Sequence, residues 1–245
     1  MGTNWNDFLG FKKTFPEYKI KNYKIIDLPK LSWPATSEQY TALMKKYECS
    51  SISDDENIIL QTQPGQSLAI DWSHFLNSGL REGYDEARQE DPVGCYFDTD
   101  FTNIGVHVRR GDISPEKQPE RWIFNEQYVE LFRNINNTLN SDCLIHIYSE
   151  GDISDFGEIS KIDNVLFHLN EDPMVTFHHL VSSDILINAK SAFSVLAAYL
   201  HNGIKLCLPF STYWKDFPNN ENFISVDGNY NFDSNKLMKG INNGF

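Results

Sequence analysis

At 245 residues with a formal net charge of −13, the chain is long enough to bury a substantial core, as one large domain or two small lobes. Both halves are acidic and there is no basic tail, which argues against binding nucleic acid or an anionic membrane by diffuse attraction. The longer apolar runs are interrupted by Asn188, Lys190 and serines, so none qualifies as a membrane span. Four widely spaced cysteines, Cys49, Cys95, Cys143 and Cys207, form no CxxC pair, and the N-terminus is not signal-like. That pattern predicts reduced thiols and a cytoplasmic protein.

In the first hundred residues, aromatic and polar side chains mix without a sustained period between positions 5 and 33. Helical spacing follows over 37–47, a short strand is predicted at 57–61, and a further helix starts near residue 71. From residue 103 the pattern alternates. Strands are predicted at 103–109, 143–148, 165–168, 184–187 and 205–208, with helices between them at 125–139, 154–159, 173–181 and 191–201, and a closing helix at 234–241. Such alternation implies an α/β protein with a parallel, Rossmann-like sheet. The change of pattern divides the chain into a less regular part, 1–100, and an alternating part, 101–245.

Residues 104–112, IGVHVRRGD, carry the sharpest chemical signal. Ile104, Val106 and Val108 alternate with Gly105, His107 and Arg109, so a strand would carry His107 and Arg109 on one face and deliver Arg110 at its end. Ligands of open α/β sheets bind at that carboxyl edge. A guanidinium offers a rigid fork of donors matched to phosphate oxygens and stays charged at physiological pH. The plainer alternative is an ion pair with Asp112. The embedded RGD tripeptide is discounted as an adhesion signal.

A second block, residues 184–200 (DILINAKSAFSVLAAYL), reads as a buried strand, a turn at 188–190 and a helix from Ser191 with Phe193, Leu196, Ala197 and Leu200 at helical spacing. Ser191 or Ser194 then stands near a helix N-terminus, where free N–H groups and the helix dipole suit a diphosphate. Capping by Ser191 is the simpler role, compatible with the first.

The first block resembles the opening motif of the α1,2- and α1,6-fucosyltransferase superfamily, His-x-Arg-Arg-x-Asp, through His107, Arg109, Arg110 and Asp112. The second resembles the later block of the same superfamily, and the two occur in the family's order over residues 104–214. The resemblance, to glycosyltransferase family 11 in particular, implies a GT-B-like fold with a C-terminal Rossmann-like nucleotide-sugar-binding lobe, 101–245, and a reduced N-terminal acceptor-side lobe or cap, 1–100. It implies inverting transfer of L-fucose from GDP-fucose to a glycan hydroxyl, with no metal or other cofactor. The partners are then a nucleotide-sugar donor and an oligosaccharide or glycan acceptor.

By the same resemblance Arg109 contacts the donor β-phosphate and Arg110 supports it or binds an adjacent oxygen. His107 faces the nucleoside, and Ser191, Ala192, Phe193 and Ser194 hold the other side of the diphosphate. Asp112 is the first candidate for the catalytic base, with Glu116, Glu150 and Asp152 behind it. The family's N-terminal Gly-Asn-x-hydrophobic-Phe-Gln segment is not apparent. Two alternatives stay open: a different NDP-linked deoxyhexose as donor, or a non-catalytic nucleotide-sugar or glycan-binding relative.

Other features carry less. Asp98-Thr99-Asp100 matches a metal-nucleotide DxD pattern, but short patterns match freely. His178 and His179 fall in a predicted helix, where adjacent side chains diverge by about 100° and are poorly placed to chelate one zinc ion; one of them is a weaker candidate for lining the nucleotide pocket. Phe210, Tyr213 and Trp214 offer rings for stacking on a base or sugar, or for the core. Asn136-Asn137-Thr138 is a glycosylation sequon by pattern alone.

Overall fold

The computed structural model describes residues 4–10, 23–27, 57–61, 79–140, 142–208 and 222–243. The helices predicted at 37–47 and from residue 71, Cys49 and the aromatic trio Phe210, Tyr213 and Trp214 lie outside the described residues.

The elements in chain order are α1 (Trp5–Phe8), β1 (Tyr23–Asp27), β2 (Asn57–Gln61), α2 (Leu80–Glu90), β3 (Thr102–His107), α3 (Asn125–Thr138), β4 (Cys143–Ser149), a 3₁₀ segment (Ile153–Lys161), β5 (Val165–Leu169), α4 (Pro173–Ser182), β6 (Ile185–Ile187), α5 (Ala192–Leu200), β7 (Ile204–Cys207), β8 (Phe223–Ser225) and α6 (Ser234–Asn242). The predicted strand at 57–61 is β2, which pairs in parallel with β1.

Local chemistry accounts for where the helices begin. Pro173 occupies the first turn of α4, and Asp172 before it accepts hydrogen bonds from the Met174 and Val175 amides at 2.8 and 3.3 Å. Asp233 caps α6 through the Lys236 amide at 2.9 Å. Helix α3 begins at Phe124, whose amide donates to Gln127 Oε1 at 2.7 Å. The segment predicted as a helix at 154–159 is instead a 3₁₀ stretch, broken at Gly157, whose φ of 50° is left-handed.

Six strands form one all-parallel sheet in the order β5-β4-β3-β6-β7-β8. The α/β expectation with a parallel sheet is therefore met, and the sheet is compatible with a Rossmann-like lobe. Counted within the sheet, its order is 3-2-1-4-5-6, that of dinucleotide-binding doubly wound folds. The chain builds outward from β3 to β5, then crosses back to start again at β6 beside β3. Between β3 and β6 the direction of winding reverses, and neighbouring crossovers diverge to leave a crevice at the carboxyl edge.

Both sheet faces are covered. On one, Tyr128, Leu131, Phe132 and Ile135 of α3, spaced as one helical stripe, pack with Phe156, Ile159 and Leu237 against Ile104, Val106, Ile145, Ile147, Ile185, Ile187 and Leu206. On the other, Phe177 and Leu180 of α4 and Ala197, Ala198 and Leu200 of α5 pack against Tyr148 and Leu186. Full burial of each large apolar side chain is worth about 1.5–3 kcal/mol, so this double layer is the main source of stability. Phe8 of α1 and Leu9 after it, with Leu80 and Tyr84 of α2, belong to the second cluster. These parts of the first hundred residues thus share a core with the sheet.

Gly105 permits the close approach of α4 to β3. A Cβ there would stand 2.8 Å from Ser183 Oγ and 3.1 Å from Ser183 Cβ. Among the described residues no helix is long and apolar enough to cross a membrane, and Cys95, Cys143 and Cys207 are free thiols.

Candidate anion site at the reversal of strand order

Strand β3 leaves its ladder after His107, although the Val108 amide still donates to Tyr148 O at 3.0 Å. Because an extended chain alternates, the two arginines that follow part company. Arg109 turns toward α5 and donates through Nη1 to Ser191 Oγ at 3.2 Å. Arg110 turns toward α3, donating to the carbonyls of Arg109 and Ile123 at 2.9 and 3.0 Å and to Asn125 Oδ1 at 2.9 Å. Its guanidinium also stacks over Trp122, 3.9 Å from the ring centroid. Burial disfavours the charged form of Arg110, but its partners are carbonyl oxygens that a cation satisfies.

The Arg109–Ser191 bond joins the two sequence blocks across 82 positions and spans the crevice. Ser191 precedes the first residue of α5, yet its side chain makes no capping bond; the hydroxyl accepts from Arg109 instead. Ala192 is exposed and Phe193 half-buried in the first turn of that helix. Ser194 is fully buried, and its hydroxyl donates to Ala189 O at 3.1 Å and Ser191 O at 3.3 Å. It braces the turn and does not face the crevice.

Asp112 folds back onto Arg109 in a two-point ion pair, Nε to Oδ1 at 3.2 Å and Nη2 to Oδ2 at 2.6 Å. The reversal needs Gly111, whose φ is 79°. The Arg109 hydrogen bond holds the Asp112 carboxyl below its ordinary range, so it is ionised at neutral pH. Asp112 is 61% exposed and Arg109 23%, leaving the pair open to solvent. Glu150, at the end of β4, leans on the same turn: a Cβ on Gly111 would meet its Oε2 at 1.6 Å. Arg109, Asp112, Glu150 and Ser191 therefore share one edge.

The loop over this edge is pinned at both sides, by Arg110 as described and by Lys190, which donates to Glu120 O. Asp152 opens the 3₁₀ segment, its amide donating to Asp155 Oδ2 at 2.8 Å, and Glu116 is an exposed loop carboxylate held below its ordinary range first by Ser114. Neither is joined to the Arg109 cluster by a hydrogen bond or ion pair among the described residues.

His107 stands on β3 with its ring 5.3 Å from that of Phe193. Burial and, secondarily, the Arg109 charge push it down to about 4, so it is uncharged at neutral pH. His178 and His179 diverge as a helix requires. His178 Nδ1 meets Tyr84 Oη at 2.7 Å, while His179 donates through Nε2 to Gly94 O at 2.8 Å and accepts from Tyr148 Oη at Nδ1, 3.0 Å away. These are bonds within the framework, away from the arginine cluster. Asp98 lies at the opposite, amino end of β3, where its Oδ1 accepts from the Asp100 amide at 3.0 Å. Among the described residues no group of three or more His, Cys, Asp or Glu is arranged to hold a metal ion.

Asn188, Trp122 and Asn125 are the site residues that sequence reading passed over. Asn188 was legible only as part of a turn, and the other two hold Arg110 through contacts that no local pattern encodes.

Fold and site together define an α/β protein with a doubly covered parallel sheet and an arginine, carboxylate and serine cluster where its strand order reverses. No family model matches the chain, and no curated protein is significantly similar to it in sequence.

Proposed function

We propose that the chain is an inverting, metal-independent glycosyltransferase of GT-B-like design, moving L-fucose from GDP-fucose to a glycan hydroxyl. The observation that carries this reading is Arg109, set at the end of β3 and bonded to Ser191 at the start of α5, where doubly wound sheets bind nucleotides. In this reading the donor diphosphate lies against the Arg109 guanidinium and the free amides of the first turn of α5. The acceptor oxygen attacks the anomeric carbon, the bond to the phosphate oxygen breaks, and GDP departs with the electron pair. Arg109 stabilises the charge that grows on the departing phosphate. The acceptor proton passes to a carboxylate at the same edge, Asp112 first and Glu150 second.

One observation favours a second reading, a non-catalytic nucleotide-sugar or glycan-binding protein: the leading base, Asp112, is already committed to Arg109. Calorimetric titration with GDP, GDP-fucose, UDP and ADP, in EDTA and again with Mn²⁺, tests the binding shared by both. Metal-independent binding confined to the GDP ligands is expected, and lack of binding to all four refutes it. Release of GDP from GDP-fucose then separates the enzyme from the binder, and a panel of other NDP-deoxyhexoses tests the sugar.

A further inference from the structure

Two buried nitrogens beside the crevice have no hydrogen-bond partner among the described residues: His107 Nδ1 and Asn188 Nδ2. They stand at the carboxyl ends of neighbouring strands. Val106 of β3 pairs with Ile187 of β6, and each of the two residues stands one position further toward the carboxyl edge. Asn188 is only 2% exposed. Its turn is locked, because the Ser191 amide and the Ser194 hydroxyl both donate to Ala189 O, at 2.8 and 3.1 Å. Lys190 is tied to Glu120 on its other side.

A buried donor without a partner is destabilising, and nearly all such groups in native proteins are satisfied. Here Asn188 Nδ2 and, in the tautomer protonated at that atom, His107 Nδ1 stand at equivalent positions just past a paired step of β3 and β6, and the bonds that brace the Asn188 turn relieve neither. They also adjoin the first turn of α5, whose leading amides have no partner within the helix. The Phe193 ring of that turn packs against His107, giving the group an apolar wall. With His107 uncharged, the positive charge of the crevice stays on Arg109, two residues nearer the rim.

We infer that Asn188 and His107 form a polar seat for a ligand oxygen at the floor of the crevice. The ligand of this chain is then gripped at two depths, its anionic part by Arg109 and an oxygen beyond it by two uncharged nitrogens. This rests on the reading that the crevice takes a nucleotide diphosphate. The seated oxygen belongs to the diphosphate itself or to a hydroxyl of the nucleotide or its sugar.

Calorimetric titration of the full chain with pyrophosphate, GDP and GDP-fucose, for the wild type, Asn188→Leu and His107→Phe, tests the seat. The second substitution keeps a ring against Phe193 and removes the nitrogens. Each variant is expected to lose about tenfold in affinity, the share of one hydrogen bond, while its melting temperature holds or rises because an unpaired polar group has gone. Equal loss for all three probes assigns the seat to a diphosphate oxygen; loss for GDP or GDP-fucose but not pyrophosphate assigns it to a hydroxyl. Wild-type binding that both variants leave unchanged overturns the seat and spares the nucleotide reading. A wild type that binds none of the probes overturns both. Should Asn188→Leu fail to fold, Asn188→Ala carries the same expectation.

Discussion

The adjacent arginines are expected to respond oppositely to replacement, and Arg110→Met is the sharper case. Methionine keeps the aliphatic stem and removes the charge. Three acceptors lose their donor, the carbonyls of Arg109 and Ile123 and Asn125 Oδ1, now reached at 2.9, 3.0 and 2.9 Å. Only the Ile123 bond is fully buried, and orphaning such an acceptor costs about 1–3 kcal/mol; the two part-buried acceptors regain water and cost less, and the Trp122 stack adds about 0.5–2 kcal/mol. Relief of the charge's desolvation offsets part of the sum, and Arg110 Nε, buried without a partner among the described residues, loses nothing. A net loss of about 2–4 kcal/mol follows, near the upper end for single substitutions. Urea denaturation is the assay, with a lowered midpoint at unchanged slope as the expected result. Arg109→Met removes an ion pair with an exposed carboxylate, and such pairs contribute little to stability. An Arg110→Met protein as stable as wild type, or an Arg109→Met protein destabilised equally, refutes the division of labour.

Arg109→Lys is expected to recover only part of the GDP affinity that Arg109→Ala loses, because an ammonium lacks the fork that spans Ser191 and Asp112; full recovery, measured by titration, argues for simple charge attraction. Ser191→Ala is expected to weaken GDP binding several-fold without lowering the melting temperature, since the hydroxyl does not cap α5, whereas Ser194→Ala is expected to lower stability by about 1 kcal/mol and leave binding intact. The reverse pattern in the two titrations and melts assigns the serines the other way. Stability is also expected to fall with acidification. Burial pushes His107, His146 and His178 down to about 4 and His201 to about 3, from 6.5. Below 6.5 the unfolded chain takes up protons that the native state refuses, so stability declines from about pH 6.5 toward about pH 4 and is unaffected above that window. Melts that are flat between neutral pH and about pH 5 contradict these burial effects.

Much of the fold is written locally. The strand at 143–148 is β4 with one residue added, and the helix predicted at 173–181 is α4, because Asp172-Pro173 is a start signal readable without neighbours. The first strand was expected to run through Arg109 but leaves its ladder at His107; only the Val108 amide still bonds to β4, at Tyr148 O, before Arg109 turns away to Ser191. Helix α2 and strand β8 were not expected. Leu80, Gly83, Tyr84 and Ala87 make an apolar face only where α4 and α5 lie beside them, and β8 is three residues long and exists by pairing with β7.

For the site, sequence by itself determined the inventory: two arginines and an aspartate after an apolar strand, and a serine before a helix. Residue type and short-range period are properties of the chain that folding does not alter. Only the tertiary structure decided that Arg109 meets Ser191 while Arg110 is turned into the framework, that Ser194 is a brace, and that His107 and Asn188 follow paired positions of adjacent strands. Those outcomes depend on β3 and β6 lying side by side, a pairing of segments about eighty residues apart, set by how the whole sheet buries its two faces and recorded in no local pattern.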